Sequence, residues 1–289
     1  MRALLETIAL ELDDEVVASS SVHGGDTATA LRVDLASGRR VFAKTHPDPP
    51  PGFFTTEAAG LSWLQAVDAL PIPEVLAVSD GDEDEPAYLV LSWIDRGPAV
   101  ESTEPDLGRS LARLHAATPT SFGRADQRTT GSLGVPNEPC DTWAEFYATQ
   151  RLAPLARLAR DELALSPAAL AGLDRLDRDR LIEIGGPVEL PARLHGDLWA
   201  GNRVVGAAGD SWLIDPAAHG GHREFDLAMM RLFGGFGSAC FAAYDEVAPL
   251  ATGWHDRVEL HQLAPLVVHA IRFGGGYPFA AAQAIATYA

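Results

Sequence analysis

The stretch RLHGDLWAGNRVV, Arg193 to Val205, decides how this chain is read. It gathers His195, Asp197 and Asn202 in one short loop, with Asn202 five positions after Asp197, and then enters the apolar pair Val204 and Val205. A turn needs no such set of side chains, so the reason for it lies in chemistry. The pattern of Arg203–Gly206 followed by Ser211–Ile214 predicts a β-hairpin that returns Asp215, in the segment IDPA, beside that loop. Asn202 and Asp215 then offer the oxygen ligands that a hard cation such as Mg²⁺ takes, with phosphate oxygens completing the shell. Asp197 is left as a base that can accept a hydroxyl proton. Kinase-type phosphoryl transfer divides its labour in this way.

Such chemistry also demands a phosphate-steering lysine on a third strand and a glutamate on the next helix. Upstream, VVASSSV (Val16–Val22), TALRVDL (Thr29–Leu35) and RRVFAK (Arg39–Lys44) predict a three-stranded meander, and Lys44 ends its third strand. After the breaker PDPPPG (Pro47–Gly52), TTEAAGLSWLQAVDAL predicts a helix that Glu57 opens. A buried ammonium needs a carboxylate to hold it within reach of phosphates, which ties Glu57 to Lys44. HGGDTA places Gly24 and Gly25 at the turn between the first two strands, where backbone N–H groups would cover the phosphates. Taken singly, each residue has a plainer reading: Lys44 as a surface residue, Glu57 as a first-turn acid, Asp215 as a turn former. Together, and in the required order, they favour a kinase-like site.

PIPEVLAVS and PAYLVLSWI predict two further strands. The acidic run between them, Asp80–Glu85, reads as a solvated hairpin loop and not as a cation site. Beyond Trp93, DLGRSLARLHAAT, DTWAEFYATQRLAPLARLARDEL and SPAALAGLDRLDRDRLIEI are helical patterns. From Glu224 the chain is helical again, interrupted by FGGFG and FGGGY. The expected architecture is α+β and bilobal. Residues 1–93 form a small β-rich nucleotide-binding lobe, and a hinge lies near Leu91–Asp95. Residues 94–289 form a larger, mainly helical catalytic and substrate-binding lobe with the hairpin embedded in it.

With 289 residues, 47% of them hydrophobic, the chain can bury a large core. Its formal net charge of −18 repels phosphodiester backbones, so no nucleic-acid partner is expected. Cys140 and Cys240 form no CxxC pair and read as free thiols in a reducing compartment. The N-terminal MRALLETIALELDDE reads as a short amphipathic helix and not as a signal peptide. No run approaches the ~20 apolar residues of a spanning helix. A cytoplasmic protein without a membrane partner is expected, and nothing in the sequence bears on its oligomeric state.

HGDLWAGN, followed by IDPA, GHREFDLAMM and FGGF, resembles the fructosamine-3-kinase (ketosamine-3-kinase) family, relatives of the aminoglycoside phosphotransferases within the protein-kinase-like fold. The likeness runs through FFTTEAAGL, YLVLSWI, LGRSLARLH, DTWAEFYATQRLAP, FGGFGSACFAAYDE and RFGGGY, nearly the whole chain. The resemblance implies Asp197 as catalytic base, Asn202 and Asp215 as Mg²⁺ ligands, and Lys44 with Glu57 as the pair orienting the phosphates of ATP. Adenine would meet backbone groups of Ser92, Trp93 and Ile94. Trp199 is a candidate for the acceptor pocket, or else packs the catalytic loop. His222 and Glu224 are candidate substrate contacts, although Glu224 could equally cap the helix EFDLAMM. His195 reads as a buried support of the loop. The chain departs from the family at its glycine turn, where His23 replaces a glycine and Asp26 stands where some members carry a cysteine, so no thiol switch is expected there. Arg272 stands where a neutral or aromatic side chain is common.

The implied activity is ATP-dependent phosphorylation of the 3-hydroxyl of ketosamines, free or lysine-linked, which would release the amine and repair a glycated molecule. Two rival readings remain: a phosphotransferase of the same fold acting on an aminoglycoside or amino alcohol, and a nucleotide-binding pseudokinase. A metallophosphoesterase, hinted at by GD…GN, would need an upstream DxH and a His after the GN. The chain has Arg203 there instead.

Overall fold

Side-chain alternation along three strands builds the first part of the molecule. The structure is a computed structural model. It describes residues 1–22, 28–82, 85–126, 129–130 and 133–289. Helix α1 (Arg2–Glu11) precedes β1 (Val16–Ser21), β2 (Thr29–Leu35) and β3 (Arg40–His46), which pair antiparallel as the predicted meander. Helix α2 (Phe53–Gln65) then leads to β4 (Val75–Ser79) and β5 (Ala87–Ser92). Strand β5 enters between β3 and β4, giving the sheet order β1-β2-β3-β5-β4.

In β3, Val41 and Ala43 join Leu31, Val33, Val90 and the α1 residues Leu4 and Ile8 in one buried cluster. A strand turns alternate residues to opposite faces, so Phe42 and Lys44 share the other face, in register with Leu91 and Leu89 of β5. Lys44 lies inside β3 and not at its end, because pairing with β5 continues through His46. Glu57 does not open its helix either; it is the fifth residue of α2. The free backbone donors at the start of α2 are met from outside the helix. Asp80, just past β4, accepts the N–H groups of Phe54 at 2.8 Å and Thr55 at 3.1 Å. The first acid of the run read as a solvated loop therefore anchors the helix that carries Glu57.

The second part begins with α3 (Thr103–Ala116) and the short strands β6 (Thr129–Thr130) and β7 (Val135–Pro136). Helix α4 (Trp143–Phe146) passes through a π-helical stretch, Tyr147–Leu152, into α5 (Ala153–Asp161). Where one helical pattern was expected over SPAALAGLDRLDRDRLIEI, two helices form, α6 (Pro167–Arg175) and α7 (Arg178–Ile184). The break falls at Asp177, whose side chain accepts the Arg180 N–H and starts a new helix. Strand β8 (Ala192–Leu194) leads into the HGD loop, followed by the hairpin β9 (Arg203–Val205) and β10 (Ser211–Leu213). Strand β11 (His219–Gly221) pairs with β8, and α8 (Glu224–Leu232), α9 (Ser238–Val247), α10 (Val258–Phe273) and α11 (Tyr277–Tyr288) complete the chain. Residues of α5, α6, α10 and α11, with Leu194 and Phe225, share the main helical core.

Two compact units result: Met1–Val100 with Val204–Asp215, and Glu101–Arg203 with Pro216–Ala289. The sequence reading divides the chain at 93/94 and keeps the hairpin with the helices. The hairpin groups instead with the first unit, because Gly97 N–H bonds Val205 O at 3.1 Å and Leu213 N–H bonds Pro71 O at 3.2 Å. Both cysteines are free thiols. Among the described residues no helix is long and apolar enough to cross a membrane.

Candidate active site

The residues that carry chemistry fall into two groups, one in each unit. In the first unit, Lys44 Nζ donates to Glu57 Oε1 at 2.8 Å and to Asp215 Oδ1 at 2.5 Å. Strand alternation aims the lysine, the cap at Asp80 sets the helix of Glu57, and the hairpin delivers Asp215. The three form one part-buried cluster, so Lys44 is not a free surface residue and Glu57, fifth in its helix, is not placed there as a first-turn acid. Burial alone would lower the Lys44 pKa, but the charges of Glu57 and Asp215 outweigh it and hold the ammonium protonated. Asp215 has φ +54°, in the left-handed region that few residues other than glycine adopt. Holding it there costs about 1–3 kcal/mol, a strain of the kind stored at working sites.

Beside Asp215 opens an apolar pocket lined by Phe42, Leu91, Trp93, Ile94, Val204 and Ile214, with Ser92 at its edge. The three residues expected to meet adenine thus line one pocket, which suits a flat heterocycle. Gly24 and Gly25 lie outside the described residues.

In the second unit, Asn202 closes a one-turn 3-10 helix, Ala200–Asn202. Its amide nitrogen donates to both the backbone oxygen and Oδ2 of Asp197, each at 2.9 Å. The spacing of five residues is what lets this side chain reach back across the loop. With the nitrogen turned to Asp197, the amide oxygen is the end turned away from it. An amide oxygen such as that of Asn202 and a carboxylate such as that of Asp215 are each the kind of ligand a hard divalent cation takes.

His195 is fully buried, and its Nδ1 accepts the Asp197 N–H at 3.3 Å, so it supports the loop as expected. One supporting residue was missed. Asp226, in α8, accepts the N–H groups of His195 at 2.7 Å and Gly196 at 2.9 Å, and its Oδ2 lies 3.2 Å from His115 Nε2. Burial would push its carboxyl up, but the His115 contact and the loop N–H groups outweigh that and hold it below the usual range. The segment GHREFDLAMM carried the signal, as an acid on the buried side of an amphipathic helix.

Trp199 is 39% exposed, and its ring stands edge-on to Phe233 with centroids 5.9 Å apart. The same indole fills the space a Cβ on Gly201 would need, so Trp199 both packs the loop and keeps an open face. His222 and Glu224 are buried and turned to internal partners. Arg257 donates from Nε to Glu224 Oε2 at 2.9 Å and from Nη2 to Oε1, and His222 Nδ1 accepts the Glu224 N–H at 3.2 Å. Glu224 makes no side-chain cap of α8. These contacts correct the expectation that the two residues face a substrate: the segment after β11 turns inward, beneath α10.

His222, Glu224 and His261 place ligand atoms within 4.8 Å of one another. Arg257 occupies both Glu224 oxygens, and the N–H accepted at His222 Nδ1 puts that ring's proton on Nε2.

The fructosamine kinase family profile matches residues 4–289. The chain is 34% identical over 269 residues to a probable ketoamine kinase of Enterococcus faecium, covering 93% of each. It is 30% identical over 276 residues to the chloroplastic protein-ribulosamine 3-kinase of Arabidopsis thaliana, covering 95% of this chain and 83% of that one. A solved structure assigned as a fructosamine-3-kinase of Thermobifida fusca superposes with TM-score 0.90 at 37% identity, covering 100% and 99% of the two chains. An aminoglycoside phosphotransferase superposes with TM-score 0.64 at 17% identity, over 100% of this chain and 99% of its own, which is a likeness of fold alone.

Proposed function

The chain belongs to the fructosamine kinase family and is a kinase, and on that premise we propose that it transfers the γ-phosphoryl group of ATP to the 3-hydroxyl of a ketosamine. The observation that carries this reading is the Lys44–Glu57–Asp215 cluster. A protonated lysine held between two carboxylates is suited to meet phosphate charge, as phosphoryl transfer requires. The ketoamine and ribulosamine kinase names of the relatives favour a sugar adduct of an amine as acceptor.

Asp197 is the base. Its carboxylate takes the proton of the acceptor hydroxyl as that oxygen forms its bond to the γ-phosphorus, and the bond from the γ-phosphorus to the β,γ-bridging oxygen breaks to leave ADP. Asn202, tied to Asp197 by two hydrogen bonds, and Asp215 are the residues that would hold Mg²⁺. Bound with ATP, the ion would offset the phosphate charge. Lys44 steers the phosphates, and Ser92 to Ile94 take the adenine. The exposed face of Trp199 meets the sugar or the carbon arm of its amine. His222 and Glu224 are supports of the second unit.

Asp197→Asn tests the assignment. ATP binding is expected to persist while turnover on a ketosamine falls by about 10²–10⁴-fold, the range for loss of a general base. Retained turnover would remove Asp197 from the role. A panel of ribulosamine, fructosamine and an aminoglycoside separates the proposed substrate class from the aminoglycoside reading.

A further inference from the structure

The turn FGGF lies along the catalytic loop. Phe233 meets Trp199 edge-on. A Cβ on Gly235 would stand 2.4 Å from the Cβ of Ala200, and Gly235 has φ +87°, so only glycine lets the two backbones approach there. The Arg203 guanidinium carbon lies 5.5 Å from the centre of the Phe236 ring. All of these residues belong to the second unit.

One side chain joins the two segments. Glu104, in the first turn of α3, accepts a hydrogen bond from Arg203 Nη1 on one oxygen and the Gly237 N–H at 2.9 Å on the other. The Arg203 side chain is only 6% exposed and that of Glu104 27%, so the pair is largely withdrawn from water. Withdrawing two charges costs several kcal/mol, and a greasy pair would pack at least as well, so the pair is better explained by the geometry it imposes. Arg203 directly follows Asn202. The 3-10 turn that carries Asn202 spans only three residues, so its neighbour Arg203 is the direct handle on its pose.

We propose that Glu104 is a positioning residue: through Arg203 it fixes the pose of the metal-binding Asn202, and through Gly237 it locks the FGGF turn against the same loop. The inference rests on the reading of Asn202 as a metal ligand. Glu104 touches neither nucleotide nor acceptor and acts through its two partners, as outer groups around metal sites do.

Glu104→Gln keeps an oxygen for the Gly237 N–H and removes the charge opposite Arg203. It is measured in two ways: the magnesium concentration for half-maximal turnover at saturating ATP, and amide exchange without nucleotide. The magnesium requirement is expected to rise about tenfold. Exchange is expected to quicken in 198–205 and 233–237 and nowhere else. Arg203→Met should reproduce both effects, and the double variant should be no worse than either single one, because the two residues act as a unit. An unchanged magnesium requirement in an active Glu104→Gln protein would overturn the proposal. So would losses that add in the double variant, or exchange that quickens throughout the unit. If the unaltered protein shows no magnesium-dependent transfer to a ketosamine, the kinase reading fails instead, and the exchange pattern still decides whether Glu104 braces the loop.

Discussion

The Lys44 ammonium stands 2.5 Å from Oδ1 of Asp215, a residue 171 positions further along the chain, and Glu57 closes the cluster at 2.8 Å. Lys44→Met removes the positive charge and leaves the two carboxylates facing each other. We expect kcat/KM for ATP to fall by about 100-fold or more, the scale for losing one preorganised charge contact. Steady-state kinetics at saturating acceptor measure this, and an unaltered kcat/KM would take Lys44 out of phosphate steering.

Asp226 gathers two loop N–H groups and His115 on one buried carboxylate. Asp226→Asn replaces an acceptor by an NH₂ group that must face donors. A cost of about 3 kcal/mol is expected in urea unfolding, from buried donors left unmet. Turnover should fall as well, because His195 and Gly196 no longer hold the Asp197 loop. Unfolding that matches the parent would show that the loop does not depend on this acid.

Gly108 lets α3 and α9 touch, since a Cβ there would lie 2.1 Å from the backbone oxygen of Cys240. Backbone cannot swing aside like a side-chain tip. Gly108→Ala should cost about 1–3 kcal/mol by overpacking, read as a lower melting temperature. A melting temperature at or above that of the parent would mean that the helices separate freely.

Three buried histidines make the second unit sensitive to acid. Burial, with Arg151 nearby, takes His219 down to about 3, and burial likewise lowers His222 and His261. Their folded pKa values lie below the unfolded value, so below about pH 6.5 the unfolded chain gains protons that the folded chain refuses. Stability should therefore be level above pH 6.5 and fall as pH drops, by up to about 1.4 kcal/mol per pH unit for each histidine. For His219 the loss continues until about pH 3. Urea midpoints at pH 7.5 and pH 5 measure the slope, and His219→Asn should make it shallower. A flat profile across that range would mean that these rings are protonated in the folded protein.

Local signals were enough for much of this molecule. Alternation in TALRVDL and RRVFAK set the meander and its register, because a period of two leaves each side chain one choice of face. The spacing of Asp197 and Asn202 was legible for a similar reason: both sit in one short loop, where sequence distance is nearly spatial distance. The FGGF turn and the Arg203 contact show where that stops. Glu104 precedes the helical pattern read from Asp106 and drew no attention in the sequence, yet it partners Arg203, 99 residues away. Asp80 looked like part of a solvated run, yet it caps a helix 26 residues back. His222 and Glu224 looked available to a ligand, and only the packing of α10 turned them inward.

The sequence by itself determined the five strands of the main sheet, the later hairpin, most of the helical segments and the residue types that phosphoryl transfer requires, since these follow from periodicity and from chemistry within a few residues. Tertiary structure alone decided which acids meet Lys44 and which are turned to partners inside the fold. The partner of a charge is chosen by which segments pack together, and that choice depends on the whole buried core, not on the residues beside the charge in the chain.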